Sequence, residues 1–212
     1  MASSTCVVNK ARPRSPSIFV LSGPSGVGKD SVIDKLQGVV PRLHVVVTVT
    51  TRSMRPGEEN GRSYFFVTEE EFLHRNGLGD LVAVATVHGH WYGAPVSDIE
   101  SALSSGHDVL LKVDVQGAAQ LRTQLTGALY VFLAPTSLQS LQRRLTRRQT
   151  ESAVERDRRL RDAEREMEQV SFYDYCVVNA AGRLETSVCE VAAIITAERL
   201  RVHHERATVS VR

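Results

Sequence analysis

Short apolar runs alternate with segments of helical period along most of the chain. The pattern predicts strands at residues 18–22, 44–50, 109–115, 130–133 and 175–178. It predicts helices at residues 29–38, 95–105, 116–125, 138–148, 152–170 and 186–204. A chain that alternates strands and helices in this way builds a mostly parallel sheet covered by helices on both faces. We therefore predict an α/β fold with a mostly parallel, doubly wound sheet.

Residues 52–92 interrupt this alternation. They contain a Pro56-Gly57 turn, an Asn60-Gly61 hairpin signal and two short predicted strands at 64–67 and 81–87. Such turn signals between short β-type runs are typical of hairpins. We predict a small β-rich lobe, at about residues 50–95, inserted into a domain that spans residues 18–204.

Composition narrows the classes of function. The chain has 26 Lys and Arg against 24 Asp and Glu, a formal net charge of +2. This charge is too small to attract the whole protein to nucleic acid or to an anionic membrane. The three cysteines, Cys6, Cys176 and Cys189, have no metal-binding spacing and are odd in number, which favours a reducing compartment. No apolar run reaches the roughly 20 residues that a membrane helix needs. We expect a soluble, cytoplasmic protein that binds neither membrane nor nucleic acid.

The two ends of the chain are predicted to lie outside the domain. Residues 1–17 contain Lys10, Arg12 and Arg14 and no acidic residue, a composition also found in plastid or mitochondrial targeting segments. A short disordered tail is the simpler interpretation. Residues 205–212 are predicted to form a frayed C-terminus.

A glycine-rich run follows the first predicted strand and opens the first predicted helix. Glycines let the backbone wrap around phosphate groups, the N–H groups and helix dipole face the anion, and a lysine adds a mobile positive charge. This strand-loop-helix context predicts a nucleotide phosphate site. Its residues are Gly23, Pro24, Ser25, Gly26, Val27, Gly28 and Lys29.

Asp30 stands where such loops usually place a Ser or Thr that coordinates Mg²⁺. A carboxylate beside a triphosphate is unfavourable unless a metal ion lies between them. One hypothesis therefore makes Asp30 a metal-directed residue. The other makes it an acid at the start of a helix, where the dipole favours negative charge.

The inserted lobe carries the residues for a second phosphate. Arg52 and Arg55 lie three positions apart, near Tyr64, and paired arginines can clamp a phosphate in a geometry that lysine cannot imitate. The motifs then follow a known order: the glycine-rich loop, T-T-R-x-x-R-x-G-E-x-x-G-x-x-Y from Thr50, G-x-x-Y-G from Gly89, D-x-Q-G from Asp114, and R-x-T-E from Arg148. From about residue 18 to 199 the chain resembles the guanylate kinase family.

The resemblance implies a P-loop fold that binds ATP with Mg²⁺ and GMP, as a monomer or weak homodimer. It implies a GMP site formed by Thr48, Arg52, Arg55, Glu58, Tyr64, Tyr92 and Asp114. It places Asn179 near the adenine of ATP, and Arg148 and Arg159 on a helical lid at about residues 143–160. Lys29, Arg148 and Arg159 would neutralise charge on the transferring phosphoryl group. The other arginines of that region are interpreted as a solvated helix face.

Three positions depart from the family pattern. Ala83 replaces a glutamate that reads guanine, Ala94 replaces a small hydroxyl residue, and Lys112 replaces an aspartate. Lost polar partners of this kind reduce base discrimination. Lys112 together with Asp30 resembles the plastid-type and bacterial variants with Gly-Lys-Asp in the loop, and this charge exchange favours an active enzyme.

Two alternative functions remain at this point. Gly-Lys-Asp-Ser at residues 28–31 is similar to ribose 1,5-bisphosphokinase, whose acceptor has no base. The other alternative is a noncatalytic guanylate-kinase-like module that binds phosphopeptides. The intact Arg52 to Tyr64 motif argues against the first, and the intact glycine loop with Lys29 argues against the second.

Overall fold

The computed structural model describes residues 15–87, 89–147, 153–202 and 207–210, without the side chains of 145–147 and 153–159. The strands in these ranges are β1 (Ile18–Ser22), β2 (Leu43–Val45), β3 (Val49–Thr50), β4 (Phe65–Phe66), β5 (Leu81–Val87), β6 (His90–Pro95), β7 (Asp108–Lys112), β8 (Leu125–Thr126), β9 (Ala128–Ala134), β10 (Tyr175–Val178) and β11 (Thr208–Val209). The helices are α1 (Lys29–Val39), α2 (Glu69–Gly77), α3 (Val96–Ser104), α4 (Val115–Gln124), α5 (Leu138–Arg147), α6 (Ala153–Glu168) and α7 (Leu184–Arg199), with a 3-10 helix at Gln169–Phe172.

A five-stranded parallel sheet forms the centre of the fold, in the order β10-β9-β1-β7-β2. The middle strand, β1, is buried along its whole length. Its residues alternate between two cores: Phe19 and Leu21 pack on the side of α1 and α7, whereas Ile18 and Val20 pack on the other face. A strand covered on both faces is a continuous apolar run, which is why β1 is predicted with its correct bounds.

The parallel direction of the sheet positions the site. The segments that follow β1, β7 and β10 all leave the sheet at the carboxyl ends of their strands, which meet at one edge. This edge is where open α/β sheets bind ligands. The glycine-rich loop, Asp114 and Asn179 all lie on these segments.

The inserted lobe is a second, four-stranded sheet in the order β4-β3-β6-β5, with α2 packed against it. Val49, Phe72 and Leu81 form its own small core. The chain enters it where a single strand is predicted at 44–50. That prediction is wrong, because β2 pairs with the central sheet and β3 with the small one.

The ends of the domain also differ from the prediction. Ser17 is buried and its N–H donates to Asp108 Oδ1 at 2.8 Å, so this residue belongs to the domain rather than to a tail. At the other end, β11 pairs antiparallel with β8, and Ala207 is buried beside it. Residues 207–210 are thus paired chain, where a frayed terminus is predicted. Among the described residues no helix is both long and apolar enough to span a membrane.

Candidate functional site

The glycine-rich loop connects β1 to α1, and two of its glycines cannot be replaced by another residue without strain. Gly23 has φ 138°, and a Cβ there would lie 2.2 Å from the carbonyl oxygen of Leu133. Gly28 precedes α1 with φ 103°, and a Cβ there would lie 2.6 Å from Asn179 Nδ2. Both positions combine a left-handed backbone with a close neighbour, so only glycine fits. The loop therefore has the conformation that a phosphate cradle requires.

Lys29 is the first residue of α1 and turns back over this loop. Its Nζ donates to the carbonyl oxygen of Gly23 at 2.5 Å and to that of Pro24 at 3.4 Å. Burial lowers the pKa of Lys29 below its ordinary value, although Glu166, Asp114 and Asp30 act in the opposite direction. The ammonium is thus held at the loop, where a phosphate anion would replace carbonyl oxygens as its partner.

Asn179 and Arg144 support the loop from behind. Asn179 is buried, and its Nδ2 donates to the carbonyl oxygen of Val27 at 2.8 Å. Arg144, on α5, donates to the same oxygen at 2.7 Å and to the carbonyl oxygen of Asn179 at 2.6 Å. The interpretation of Arg144 as part of a solvated face is therefore wrong. Nothing in the arginine-rich sequence distinguishes it from the exposed Arg143, because its role depends on the tertiary position of α5.

Arg52 is the centre of the second charged site. It is only 8% exposed, and its guanidinium forms a bidentate pair with Glu58, at 3.0 Å and 2.7 Å. Glu58 also accepts from the backbone N–H of Arg55 at 2.7 Å, so it fixes the loop that carries both arginines. Burial opposes the charge of Arg52, but the bonds to Glu58 and Tyr92 outweigh it and raise the pKa of the guanidinium.

Two tyrosines flank Arg52. Its guanidinium carbon lies 5.3 Å from the centre of the Tyr64 ring, and the Tyr64 and Tyr92 rings meet edge to face at 6.0 Å. The structure therefore brings together Arg52, Glu58, Tyr64 and Tyr92, as the sequence predicts. Arg55 is exposed on the same loop, where its side chain can reach solvent or a ligand.

Lys112 connects the two charged sites. It ends β7, and its Nζ donates to Asp30 Oδ1 at 2.7 Å and to the Tyr64 hydroxyl at 3.1 Å. Asp30 belongs to the first turn of α1, whereas Tyr64 belongs to the inserted lobe. The glycine-rich loop with Lys29 and the group of Arg52, Glu58, Tyr64 and Tyr92 thus adjoin each other.

Asp114 and Glu166 place two carboxyl groups beside the glycine-rich loop. Asp114 caps α4, since its Oδ1 accepts from the N–H of Gly117 at 2.7 Å. Glu166, on α6, accepts from the backbone N–H of Ser25 in the loop. Burial is the main cause that raises the pKa of Glu166 to about 7, with Asp114 adding to the effect and Lys29 opposing it. Sequence reasoning missed Glu166, because an acidic residue in a highly charged helix carries no distinguishing signal.

The positions expected to read a base are largely apolar. Ala83 and Ala94 are both buried, on neighbouring strands of the small sheet. Ala83 has φ 54° at an irregularity in the β5–β6 pairing, and its N–H donates to Gln124 Oε1 at 2.9 Å. Thr48, just before β3, is buried, and its carbonyl oxygen accepts from the N–H of Phe65 at 2.9 Å. Asp114 is the acidic group among the predicted base contacts.

The predicted lid lies partly outside the described residues. Arg148 is among the residues that are not described, and Arg159 is described only as backbone within α6. Their proposed contacts with the phosphoryl group therefore stay predictions. Among the described residues, no group of three or more His, Cys, Asp or Glu side chains is arranged to hold a metal ion.

The known proteins most relevant for comparison are guanylate kinases, to which this chain is similar in sequence. The guanylate kinase family model matches residues 15–198. Guanylate kinase 2, chloroplastic/mitochondrial, of Oryza sativa subsp. japonica is 44% identical over 194 residues, which cover 91% of this chain and 68% of the relative. Guanylate kinase of Koribacter versatilis is 42% identical over 190 residues, which cover 88% of this chain and 81% of the relative.

A solved structure agrees with these sequence matches. The crystal structure of guanylate kinase from Anaplasma phagocytophilum superimposes with a TM-score of 0.75 at 30% sequence identity. The match covers 89% of each chain. The predicted fold class is confirmed.

Proposed function

This chain belongs to the guanylate kinase family, and we propose on that premise that it transfers the γ-phosphoryl group of ATP to GMP or dGMP. The observation that carries the proposal is the junction of two phosphate sites. Lys29 and the glycine loop form one, Arg52 with Tyr64 and Tyr92 forms the other, and Lys112 touches both. A donor and an acceptor held side by side are what an in-line phosphoryl transfer needs.

The chemistry requires positioning and charge rather than a general base. The attacking oxygen of a nucleoside monophosphate is already anionic, so the protein has no proton to remove. Lys29 would neutralise charge on the ATP phosphates, and Arg52 and Arg55 would hold the acceptor phosphate against like-charge repulsion. Arg148 and Arg159 are proposed to close over the transferring group and to exclude water.

Mg²⁺ is proposed to arrive bound to ATP. The described residues form no cage of three or more His, Cys, Asp or Glu side chains, which suits an ion that keeps its water and phosphate ligands. Asp30 is the residue that would hold it, directly or through water, because its carboxylate lies at the start of α1 and is 70% exposed, although its Oδ1 also accepts from Lys112. When bound, the ion would neutralise charge on the phosphate oxygens.

Ala83 and Ala94 are the residues that bear on selectivity for the base of the acceptor. Both methyl groups lie where the family resemblance places polar contacts to guanine, which leaves Asp114 and Thr48 as the polar groups proposed for the base. We expect weaker discrimination among acceptors than a complete set of polar contacts would give. The loss of one charged acceptor reduces discrimination by a factor on the order of 10 to 100.

One coupled ATP assay tests the function against both alternatives. The acceptors are GMP, dGMP, AMP, CMP and ribose 1,5-bisphosphate. We expect GMP and dGMP to be the best acceptors, and Ala83→Glu to increase the preference for GMP over AMP. Turnover of ribose 1,5-bisphosphate alone would favour the bisphosphokinase. Phosphopeptide binding without any turnover would favour the noncatalytic module.

The compartment and the assembly state are part of the proposal. We infer a cytoplasmic location from the composition, with a plastid or mitochondrial location as the alternative, and a monomer or weak homodimer from the family resemblance. The similarity to a relative named chloroplastic/mitochondrial supports that alternative.

A further inference from the structure

Lys112 is a single side chain that contacts both halves of the proposed site. It is the last residue of β7 and pairs in register with Leu21 of β1, two residues before the glycine-rich loop begins. Its side chain is 19% exposed, so most of its length is covered by protein. The buried stem therefore fixes where the ammonium group can point.

The ammonium has partners from both substrate sides. On the donor side it pairs with Asp30 at 2.7 Å, and on the acceptor side it reaches the Tyr64 hydroxyl at 3.1 Å. It also lies 4.5 Å from the centre of the Tyr64 ring. Burial disfavours its charge, but Tyr64 and Asp30 outweigh burial and raise the pKa of Lys112 above its ordinary value. Lys112 is thus a charged bridge between α1 and the lobe.

The bond to Tyr64 has a direction. An ammonium group can only donate, so the phenolic oxygen of Tyr64 is the acceptor in this bond. The hydroxyl hydrogen of Tyr64 must then point away from Lys112. Arg52, which lies over the same ring, marks the side on which the acceptor phosphate is proposed to bind. A hydroxyl whose lone pair is taken by Lys112 is left as a donor for that phosphate.

We propose that Lys112 is a positioning residue of the phosphoryl transfer: it orients the Tyr64 hydroxyl toward the acceptor phosphate, and Asp30 holds it in place. The inference rests on the proposed function. Its distinctive consequence is that Asp30, a residue of the ATP loop, affects the binding of the acceptor. The position also gives a reason for a lysine at a site where the resemblance places an aspartate.

The test is a pair of double-mutant cycles on the full chain. The first combines Lys112→Met, which keeps most of the stem, with Tyr64→Phe, which removes only the hydroxyl. Each single variant is expected to raise the KM for GMP about tenfold, as the loss of one charge-assisted bond would. The double variant should stay within about twofold of the worse single variant, because both changes remove the same contact to phosphate. The KM for ATP should change less than the KM for GMP.

The second cycle combines Asp30→Asn with Lys112→Met. Asp30→Asn is expected to raise the KM for GMP about threefold in the presence of Lys112 and to have no further effect in its absence. Lys35→Met is the matched control, since it removes a lysine that pairs with Glu185 at 2.6 Å on the surface. It should leave both KM values unchanged. Calorimetric titration with GMP alone repeats the comparison without turnover.

The outcomes separate the two claims. If the wild-type protein phosphorylates GMP but Lys112→Met leaves its KM within twofold, the role of Lys112 is overturned and the kinase function stands. Additive effects of Lys112→Met and Tyr64→Phe would also overturn that role, because the two groups would then act separately. If the wild-type protein neither binds nor phosphorylates GMP, the proposed function fails and the role of Lys112 fails with it.

Discussion

Glu166 shows how one buried carboxyl can link stability to pH. Its folded pKa of about 7 lies well above the ordinary value of about 4.3 for an unfolded glutamate. Between these two values the folded chain binds more protons than the unfolded chain, so stability falls as pH rises through this window. Above pH 7 an ionised carboxylate also lies at the loop that is proposed to bind phosphate.

We predict that Glu166→Gln removes this part of the pH dependence. The free energy of unfolding, measured in urea at intervals from pH 4.5 to 8, should decline less steeply with pH than in the wild-type protein. The control is Glu164→Gln, which changes an exposed residue of the same helix and should keep the wild-type slope. Equal slopes for Glu166→Gln and the wild type would show that Glu166 ionises alike in the folded and unfolded chains.

Single residues also show where sequence reasoning reaches its limit. The glycine loop and the Arg52 to Tyr64 motif could be recognised because their chemistry is local in sequence. Arg144 could not, because its two acceptors lie 117 and 35 positions away. Lys112 could be recognised as a departure from the family pattern, but its contact with Tyr64, 48 positions away, depends on how the lobe packs.

Helices and strands were also predictable where their signal is local in sequence, and were missed where it is weak. Strands β1, β5 and β10 have the predicted bounds, since each is an apolar or β-branched run. Helix α2 was missed because it buries a single residue, Phe72, and so has little amphipathic period. Its start had a signal, because the Thr68 side chain caps the N–H of Glu71. Strand β6 was missed because Gly93 and Pro95 are unfavourable in strands.

The short pairing of β8 with β11 supports the segment beneath the inserted lobe. The N–H of Ser210 donates to the carbonyl oxygen of Gln124 at 2.8 Å, and the side chain of Gln124 accepts from Ala83. Gln124 thus connects Ser210 by hydrogen bonds to Ala83 of β5, whose backbone has a positive φ.

We predict that Ser210→Pro destabilises the fold by about 1 kcal/mol, because proline has no N–H to donate to Gln124. Ser210→Ala keeps that N–H and should leave the free energy of unfolding within about 0.5 kcal/mol of the wild type. Urea unfolding of both variants measures the difference. If proline and alanine have equal effects, the hydrogen bond from Ser210 to Gln124 contributes nothing measurable to stability.

Within the described residues, the chain passes between the two sheets at two short segments. One crossing is residues 46–48, between β2 and β3, and the other is the junction of β6 with α3. His44 Nε2 lies 2.9 Å from Asp98 Oδ1, so the two chain segments at the base of the lobe are tied to each other. The lobe is also anchored by its core, since Val82, Ala83 and Ala94 are buried together with Ile18 and Val20 of β1. A lobe anchored along one edge in this way can hinge over a ligand as a unit.

We predict that GMP and a nonhydrolysable ATP analogue together contract the molecule. A compact chain of 212 residues has a radius of gyration of about 17 Å. Small-angle X-ray scattering should give a larger radius for the free protein. The radius of the doubly liganded protein should lie closer to this value. Because Arg55 is exposed and proposed to hold the acceptor phosphate, Arg55→Ala should need about tenfold more GMP for the same contraction. Its response to the ATP analogue alone should match that of the wild type. A liganded radius equal to the free one would mean that the lobe is already fixed in its final position, and that water is excluded from the phosphoryl group by the lid region alone.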